Sequence, residues 1–163
     1  MAKKPKFRSP TGMHDILPED QTFFQKVYTI AGNIANFYGF QKIDTPLIEE
    51  AELFSKGIGL ATDIVEKQMY VFRSKGGDYL ALRPEFTAGI VRAYIEHGMF
   101  NLPQPLKFYS LGPLFRLERP QAGRFRQFHQ IDFEVFGEQS PVIDAQIIQI
   151  FYNILRELKF KNL

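Results

Sequence analysis

Residues 110–137, SLGPLFRLERPQAGRFRQFHQIDFEVFG, carry most of what can be read from this chain. They predict two strands joined by a loop bearing arginine and glycine. Side chains alternate faces along a strand with a period of two residues. In the first arm Arg116 and Glu118 share one face, opposite Phe115 and Leu117. In the second, Arg126, Phe128, Gln130, Asp132 and Glu134 share a face, opposite Gln127, His129, Ile131, Phe133 and Val135. Arg119, Gln121, Gly123 and Arg124 lie between the arms. Antiparallel sheets often bury one face and wet the other, so polar alternation alone means little. A merely solvated face, however, tends to be written in Lys, Glu and Thr. Arginine offers a planar fork of donors that matches phosphate oxygens as lysine does not. Phe128 provides a flat surface on which a base can stack. Asp132 and Glu134 are acceptors for a cationic or NH-bearing group. On these grounds the hairpin predicts a nucleotide-phosphate site with an acidic subpocket.

The whole chain bounds that reading. Its 163 residues make one domain or most of one, and a chain of this size buries roughly 70% of its unfolded surface. Hydrophobic residues make up 45% and charged residues 23%, as in an ordinary globular protein. Twenty basic and 18 acidic residues leave a net charge of +2, so the total gives no argument for a nucleic-acid partner. The absence of cysteine excludes disulfides and thiolate metal sites and fits a reducing compartment. No apolar run approaches the ~20 residues that span a bilayer, and the basic start MAKKPKFRSP lacks the apolar core of a secretion signal. The expectation is a cytoplasmic protein with no membrane contact.

In chain order, residues 1–13 read as a solvated basic arm broken by Pro5, Pro10 and Gly12. Residues 18–38 are helical, with Phe23, Val27, Ile30, Ile34 and Phe37 at three- and four-residue spacing and Gly39 as the stop. Residues 40–44 predict a short strand ended by Pro46. This sheet edge beside a long helix is a candidate dimer surface. Residues 55–62 read as a loop. Residues 68–73 and 78–82 form a hairpin turned at Gly76-Gly77. Pro84 opens a helix whose apolar side is Ile90, Val91, Tyr94 and Ile95, closed by Gly98. Glu85 and Thr87 lie in its first turn, where an acid is favoured by the helix dipole or, alternatively, both side chains hold an amino group. Residues 106–111 are a strand. Ser140 caps and Pro141 opens a last helix, with Ile143, Ile147, Ile150, Ile154 and Leu158 as its stripe. The fold class is α+β, an antiparallel sheet with helices packed against one side.

At this point a resemblance becomes specific. FRLERPQAGRFRQFHQIDFEVFG (115–137) resembles motif 2 of the histidyl-tRNA synthetases, a class II aminoacyl-tRNA synthetase family. TGMHDILPED (11–20), GFQKIDTPLIEEAELF (39–54, similar to motif 1) and LRPEFTAGIVRAYIEHG (82–98) resemble the same family in the same order. The resemblance implies a class II catalytic core that activates histidine with ATP and Mg2+ to histidyl-adenylate and transfers it to tRNA(His). Arg116 matches the catalytic arginine at the α-phosphate, where developing charge needs a fixed cation. Glu118, Arg124 and Phe128 match further ATP contacts, with Phe128 under the adenine. Glu85, Thr87 and Gln130 match residues holding the histidine α-amino group, and Glu134 the acid facing its imidazole.

Several further expectations attach to the resemblance. Residues 1–163 correspond to the N-terminal portion of the catalytic domain, with motifs 1 and 2. Counterparts of motif 3, of the second histidine-specific block and of the anticodon-binding domain are absent. The core is therefore expected to be incomplete, with little aminoacylation activity alone and with apolar surface that favours self-association. The parent is expected to be a homodimer. Phe86 stands where many bacterial members carry glycine, which puts a ring beside Glu85 and Thr87. His14, His97 and His129 are read as structural or solvent-facing, with no metal site expected. The alternatives are a non-enzymatic paralogue, the ATP phosphoribosyltransferase regulatory subunit, or a dimerisation or RNA-binding fragment.

Overall fold

The computed structural model describes residues 6–57 and 68–163. Helix α1 (Pro18–Phe37) opens on a proline, tolerated where the first amide has no helical partner, and carries Glu19 and Asp20 at the positive end of its dipole. There follow β1 (Gln41–Lys42), β2 (Ile48–Glu50), α2 (Ala51–Gly57), β3 (Val71–Arg73) and β4 (Tyr79–Leu82). Helix α3 (Thr87–Glu96) and a 3-10 turn (Met99–Asn101) lead to β5 (Leu106–Phe115), β6 (Gln127–Phe136) and helix α4 (Pro141–Glu157). Residues 1–5 of the basic arm and 58–62 of the expected loop lie outside the described residues. The described strands form two sheets, ordered β1-β5-β6 and β2-β4-β3.

The α+β architecture expected from the sequence is the one observed. The ten-residue strands β5 and β6 are antiparallel, with Ser110 opposite Asp132 and Gly112 opposite Gln130. β1 adds a parallel pair on the other side of β5, so the larger sheet is mixed. Helices also pack on both of its faces, not one. On the first face α1 and α4 enclose Tyr109 and Phe133 together with Ala31, Ala35, Phe40, Ile150 and Ile154. On the other, Phe86 and Ile90 at the start of α3 pack on Phe108 and Leu114. A third cluster, Phe54, Met69 and Ala81, joins α2 to the smaller sheet.

The stripe of α1 is the expected one only in part, since Ile30 and Ile34 pack against the core. Ala31 and Ala35 are its buried residues, whereas Phe23 and Phe37 are 70% and 84% exposed. Small side chains let the helix approach the sheet closely, and the larger rings fall outside the contact. α4 follows its prediction: the Ser140 hydroxyl accepts from the Val142 amide at 3.2 Å, and Ile150 and Ile154 are buried. The β3–β4 turn is closed by Ser74, whose amide donates to the Asp78 carbonyl at 2.9 Å. Of its two glycines only Gly77 has the positive φ, +100°.

Arg83, just past β4, ties the two sheets together. Its side chain is buried, with Nη1 donating to the Thr45 carbonyl at 2.8 Å and Nε to the Pro113 carbonyl at 3.1 Å. Its amide donates to the Leu47 carbonyl, and its carbonyl accepts from the Phe115 amide at 3.0 Å. The guanidinium carbon lies 4.5 Å from the centre of the Phe86 ring. Burial lowers its pKa, opposed by Asp44 and Glu49. Arg83→Ala would leave two interior carbonyls unpaired and is expected to cost about 2–4 kcal/mol in urea unfolding. Arg83→Lys should recover only part of that, because one ammonium cannot copy the fork. A loss within experimental error for Arg83→Ala would contradict this role.

Candidate active site

The face of β6 that carries Phe128, Gln130, Asp132 and Glu134 is the one that α3 approaches, since Phe128 and Phe136 pack on the Phe86–Ile90 cluster. Beyond β5 the ladder continues for one pair, the Arg116 amide donating to the Arg126 carbonyl at 2.9 Å. That extension sets Arg116 on the same face. Its Nε donates to the Pro84 carbonyl at 2.9 Å, and its guanidinium carbon lies 5.1 Å from the centre of the Phe128 ring. Among the described residues its two η nitrogens have no protein partner. The result is a cation anchored on one side, stacked near an aromatic surface and open to a ligand on the other.

The acidic subpocket forms where the start of α3 meets β6. The Thr87 hydroxyl donates to Glu134 Oε1 at 2.6 Å. The Glu85 carboxylate accepts from the Ala88 amide at 3.0 and 3.3 Å, which pairs a free amide of the first helical turn. Glu85 therefore has the dipole-capping role and also stands close enough to Asp132 and Glu134 to act on both electrostatically. Gln130 Nε2 donates to Asp132 Oδ1 at 3.4 Å, a long bond, while Asp132 Oδ2 is buried with no partner among the described residues. Burial, then the charges of Glu134 and Glu85, push the Asp132 carboxyl up to about 7, against the pull of Gln130. Burial raises Glu134 as well, against the Thr87 hydrogen bond. Three carboxylates with too few donors make a place where a cation is favoured.

Phe86 does not crowd Glu85 and Thr87. It is 1% exposed and turns into the core, between Arg83 and Ile90. The loop residues are less pre-arranged than the strand residues. Arg124 is largely exposed and its Nη1 lies 3.5 Å from Glu118 Oε2, so these two ATP-contact candidates face each other. An exposed pair of this kind is weak and easily exchanged for a ligand contact. His129 points to the opposite face, edge-on to Phe24 at 5.0 Å, where burial lowers its pKa. His14 stands edge-on to Phe125 at 4.8 Å. Among the described residues no group of three His, Cys, Asp or Glu could hold a metal. Two residues with a part in the site were not singled out by their sequence. Arg126, one of several arginines on the hairpin, holds the loop through Glu118, and Arg83 sits in an unremarkable strand end.

A long antiparallel β5–β6 pair, a crossing helix start and a second small sheet define part of a class II aminoacyl-tRNA synthetase catalytic core. Residues 12–163 match the family model described as histidyl-tRNA synthetase, and the chain belongs to that family. It is 51% identical over 152 residues to a histidine–tRNA ligase of Dehalococcoides mccartyi, covering 91% of this chain and 36% of that protein. It is 54% identical over 152 residues to one of Thermodesulfovibrio yellowstonii, covering 93% and 36%. The structure of apo Staphylococcus aureus histidyl-tRNA synthetase superposes with a TM-score of 0.75 at 35% identity, covering 96% of this chain and 35% of that one. A Bacillus halodurans structure titled as an ATP phosphoribosyltransferase regulatory subunit/histidyl-tRNA synthetase reaches 0.82 at 24% identity, covering 98% and 40%, a likeness of fold alone. The chain thus spans about a third of the length of the curated relatives it matches. No described helix is long and apolar enough to cross a membrane.

Burial of Asp132 makes stability depend on pH. Its folded pKa lies above the unfolded one, so the group takes up a proton on folding between the two. Its contribution to stability is full at low pH and is lost as pH rises through about 7. Asp132→Asn should flatten that dependence between pH 5 and 8. At pH 8 the variant should be more stable by about 1–2 kcal/mol, after allowance for solvent screening. Urea midpoints across this range test it, and parallel pH profiles for the two proteins would count against a raised Asp132.

Proposed function

We propose that residues 1–163 form the N-terminal portion of a histidine–tRNA ligase catalytic domain, bearing motifs 1 and 2. In this reading the face of β5 and β6 binds ATP and histidine. The observation that carries it is the anchored Arg116 guanidinium beside Phe128, on the same face as the Thr87–Glu134 pair. Adenine stacks on Phe128, and Arg116 meets the α-phosphate, with Glu118 and Arg124 released from each other onto the nucleotide. Glu85, Thr87 and Gln130 take the histidine ammonium, and Glu134 faces the imidazole. A buried carboxylate there rejects apolar isosteres, because it would be left unpaired.

The chemistry is attack by a histidine carboxylate oxygen on the α-phosphorus. The bond to the β-phosphate oxygen breaks, and pyrophosphate leaves with the electron pair. Negative charge builds on the α-phosphate oxygens, where a guanidinium already held by the Pro84 carbonyl needs no reorganisation. Magnesium would accompany the nucleotide phosphates, as it commonly does, and not a protein carboxylate cage. Transfer of histidine to tRNA(His) completes the activity of the parent, a cytoplasmic homodimer. Exposed Leu47 and Ile48 in the motif 1-like stretch support a partner surface there. A regulatory paralogue of ATP phosphoribosyltransferase shares the fold, but it would have no need of the full set Arg116, Glu118, Arg124 and Phe128.

Calorimetry with ATP on this chain tests the nucleotide half. Arg116→Ala should weaken binding at least tenfold, and Phe128→Ala by about 1–3 kcal/mol, the worth of a base–aromatic stack. Binding undiminished by Arg116→Ala would overturn the assignment. In a polypeptide of the relatives' length, histidine-dependent exchange of pyrophosphate into ATP should fall about 100-fold or more with the same substitution. Absence of any exchange in that protein would favour the regulatory reading.

A further inference from the structure

We infer that the segment 10–14 is a strap that positions the loop 118–124, acting through Arg126. Its functional half rests on the nucleotide reading above, and its structural half does not. The segment turns on a bond from the Met13 amide to the Pro10 carbonyl at 3.0 Å. The Gly12 carbonyl then accepts from the amides of Arg126 at 2.7 Å and Gln127 at 3.3 Å, covering the start of β6. Gly12 has φ +80°, and a Cβ there would lie 2.8 Å from Arg126 Cγ and 3.1 Å from its Cβ and Cδ. Only glycine lets the Arg126 stem lie against the strap.

Arg126 passes this constraint to both sides of the hairpin. Its carbonyl accepts from the Arg116 amide at 2.9 Å, and its Nε donates to the Glu118 carbonyl at 3.0 Å. Glu118 in turn faces Arg124. Edge-on packing of His14 against Phe125 makes a second attachment. Inside the loop the backbone bonds join only Gln121 and Arg124, at 2.9 and 3.3 Å, and residues 121–125 are exposed. A two-residue turn cannot orient the loop against the sheet, so its direction is imposed from outside, by the strap. Arg126 is thus assigned as a positioning residue, since its Nε holds the Glu118 carbonyl and its stem lies against Gly12.

Two substitutions test this in the present chain, Gly12→Ala and Arg126→Ala. The first lengthens no side chain toward a ligand, and the second keeps every backbone bond of residue 126. Three readouts are taken: trypsin cleavage after Arg124, amide exchange at Arg116, and ATP affinity by calorimetry. Both variants should be cut about tenfold faster after Arg124 and exchange faster at Arg116, with the amides of β5 and β6 near Ser110 and Asp132 unchanged as the control for folding. ATP should bind about tenfold more weakly to each. Unchanged cleavage and exchange in both variants would overturn the strap. Weaker ATP binding by Arg126→Ala with unchanged cleavage would also overturn it, and would make Arg126 a direct contact. Faster cleavage in variants of a protein that binds no ATP at all would uphold the strap and remove the nucleotide reading instead.

Discussion

Arg83 brings a full positive charge into the interior, and the arrangement of the two sheets follows from how that charge is satisfied. Its side chain reaches the carbonyls of Thr45 and Pro113, and its backbone bonds Leu47 and Phe115. These partners come from the link between β1 and β2 and from β5, so one residue fixes the end of β4 against both. Pro84 follows directly, and its carbonyl is the anchor for Arg116. Phe86, under the guanidinium, starts the core beneath α3. A buried charge is costly unless every partner is in place. The junction therefore tolerates little displacement, and the residues that leave it, Glu85 and Thr87, inherit that rigidity.

The site gains its character from the contrast between the two faces of one hairpin. Phe133, Tyr109 and Ile131 turn toward α1 and α4, and the apolar material of that layer closes on them. The other face is only partly covered. α3 reaches Phe108 and Phe136, stacking Tyr94 on Phe136 at 4.3 Å, and then stops. Gln130, Asp132 and Glu134 are left at the margin of the core, desolvated and short of donors, with Thr87 on Glu134 and a long bond from Gln130 to Asp132. In that position carboxylates are held closer to neutrality than in water, and a cation relieves the strain among them. The aromatic end of the same strand, with Phe128 and Arg116, is suited to a base and an anion. Opposite electrostatics at the two ends of one strand fit a ligand pair with an ammonium on one partner and phosphates on the other.

Much of this was legible in the sequence, and the failures have physical reasons. Strand alternation in 127–135 assigned its faces correctly, because a period of two admits no intermediate phase, whereas β5 ends at Phe115 and the expected strand over 116–118 is irregular chain. The capping of α4 by Ser140 and Pro141 is local chemistry and was equally readable. Helical phase was legible only in part. For α1 the spacing placed Ile30 and Ile34 correctly against the core, but Phe23 and Phe37 fall outside it, because close packing on the sheet selected Ala31 and Ala35 as the buried residues. Helix α2 was missed, its last residues 55–57 falling in an expected loop, since AELFSKG is too short to display a period. The parallel pairing of β1 with β5 depends on residues more than sixty positions apart, and nothing in either strand encodes its direction. Phe86 looked like an intrusion on Glu85 and Thr87 because its neighbours in sequence are polar, yet the backbone at the start of α3 turns it inward.

The sequence by itself determined which residues could do chemistry here and which faces they share. Arginine, phenylalanine, glutamine and two acids at alternate positions are a chemical statement that needs no coordinates. It also carried the family, because four blocks occur in order along one chain. Only the tertiary structure decided how those groups are held. It joined Thr87 to Glu134 and Pro84 to Arg116, set Glu118 against Arg124, and left one buried Asp132 oxygen without a partner among the described residues. It also revealed that Gly12, far off in the chain, bears on the stem of Arg126. Side-chain type and strand phase are local properties. Burial, pairing and electrostatic coupling are set by which distant segments the fold brings within a few ångströms, and a linear string does not contain that distance.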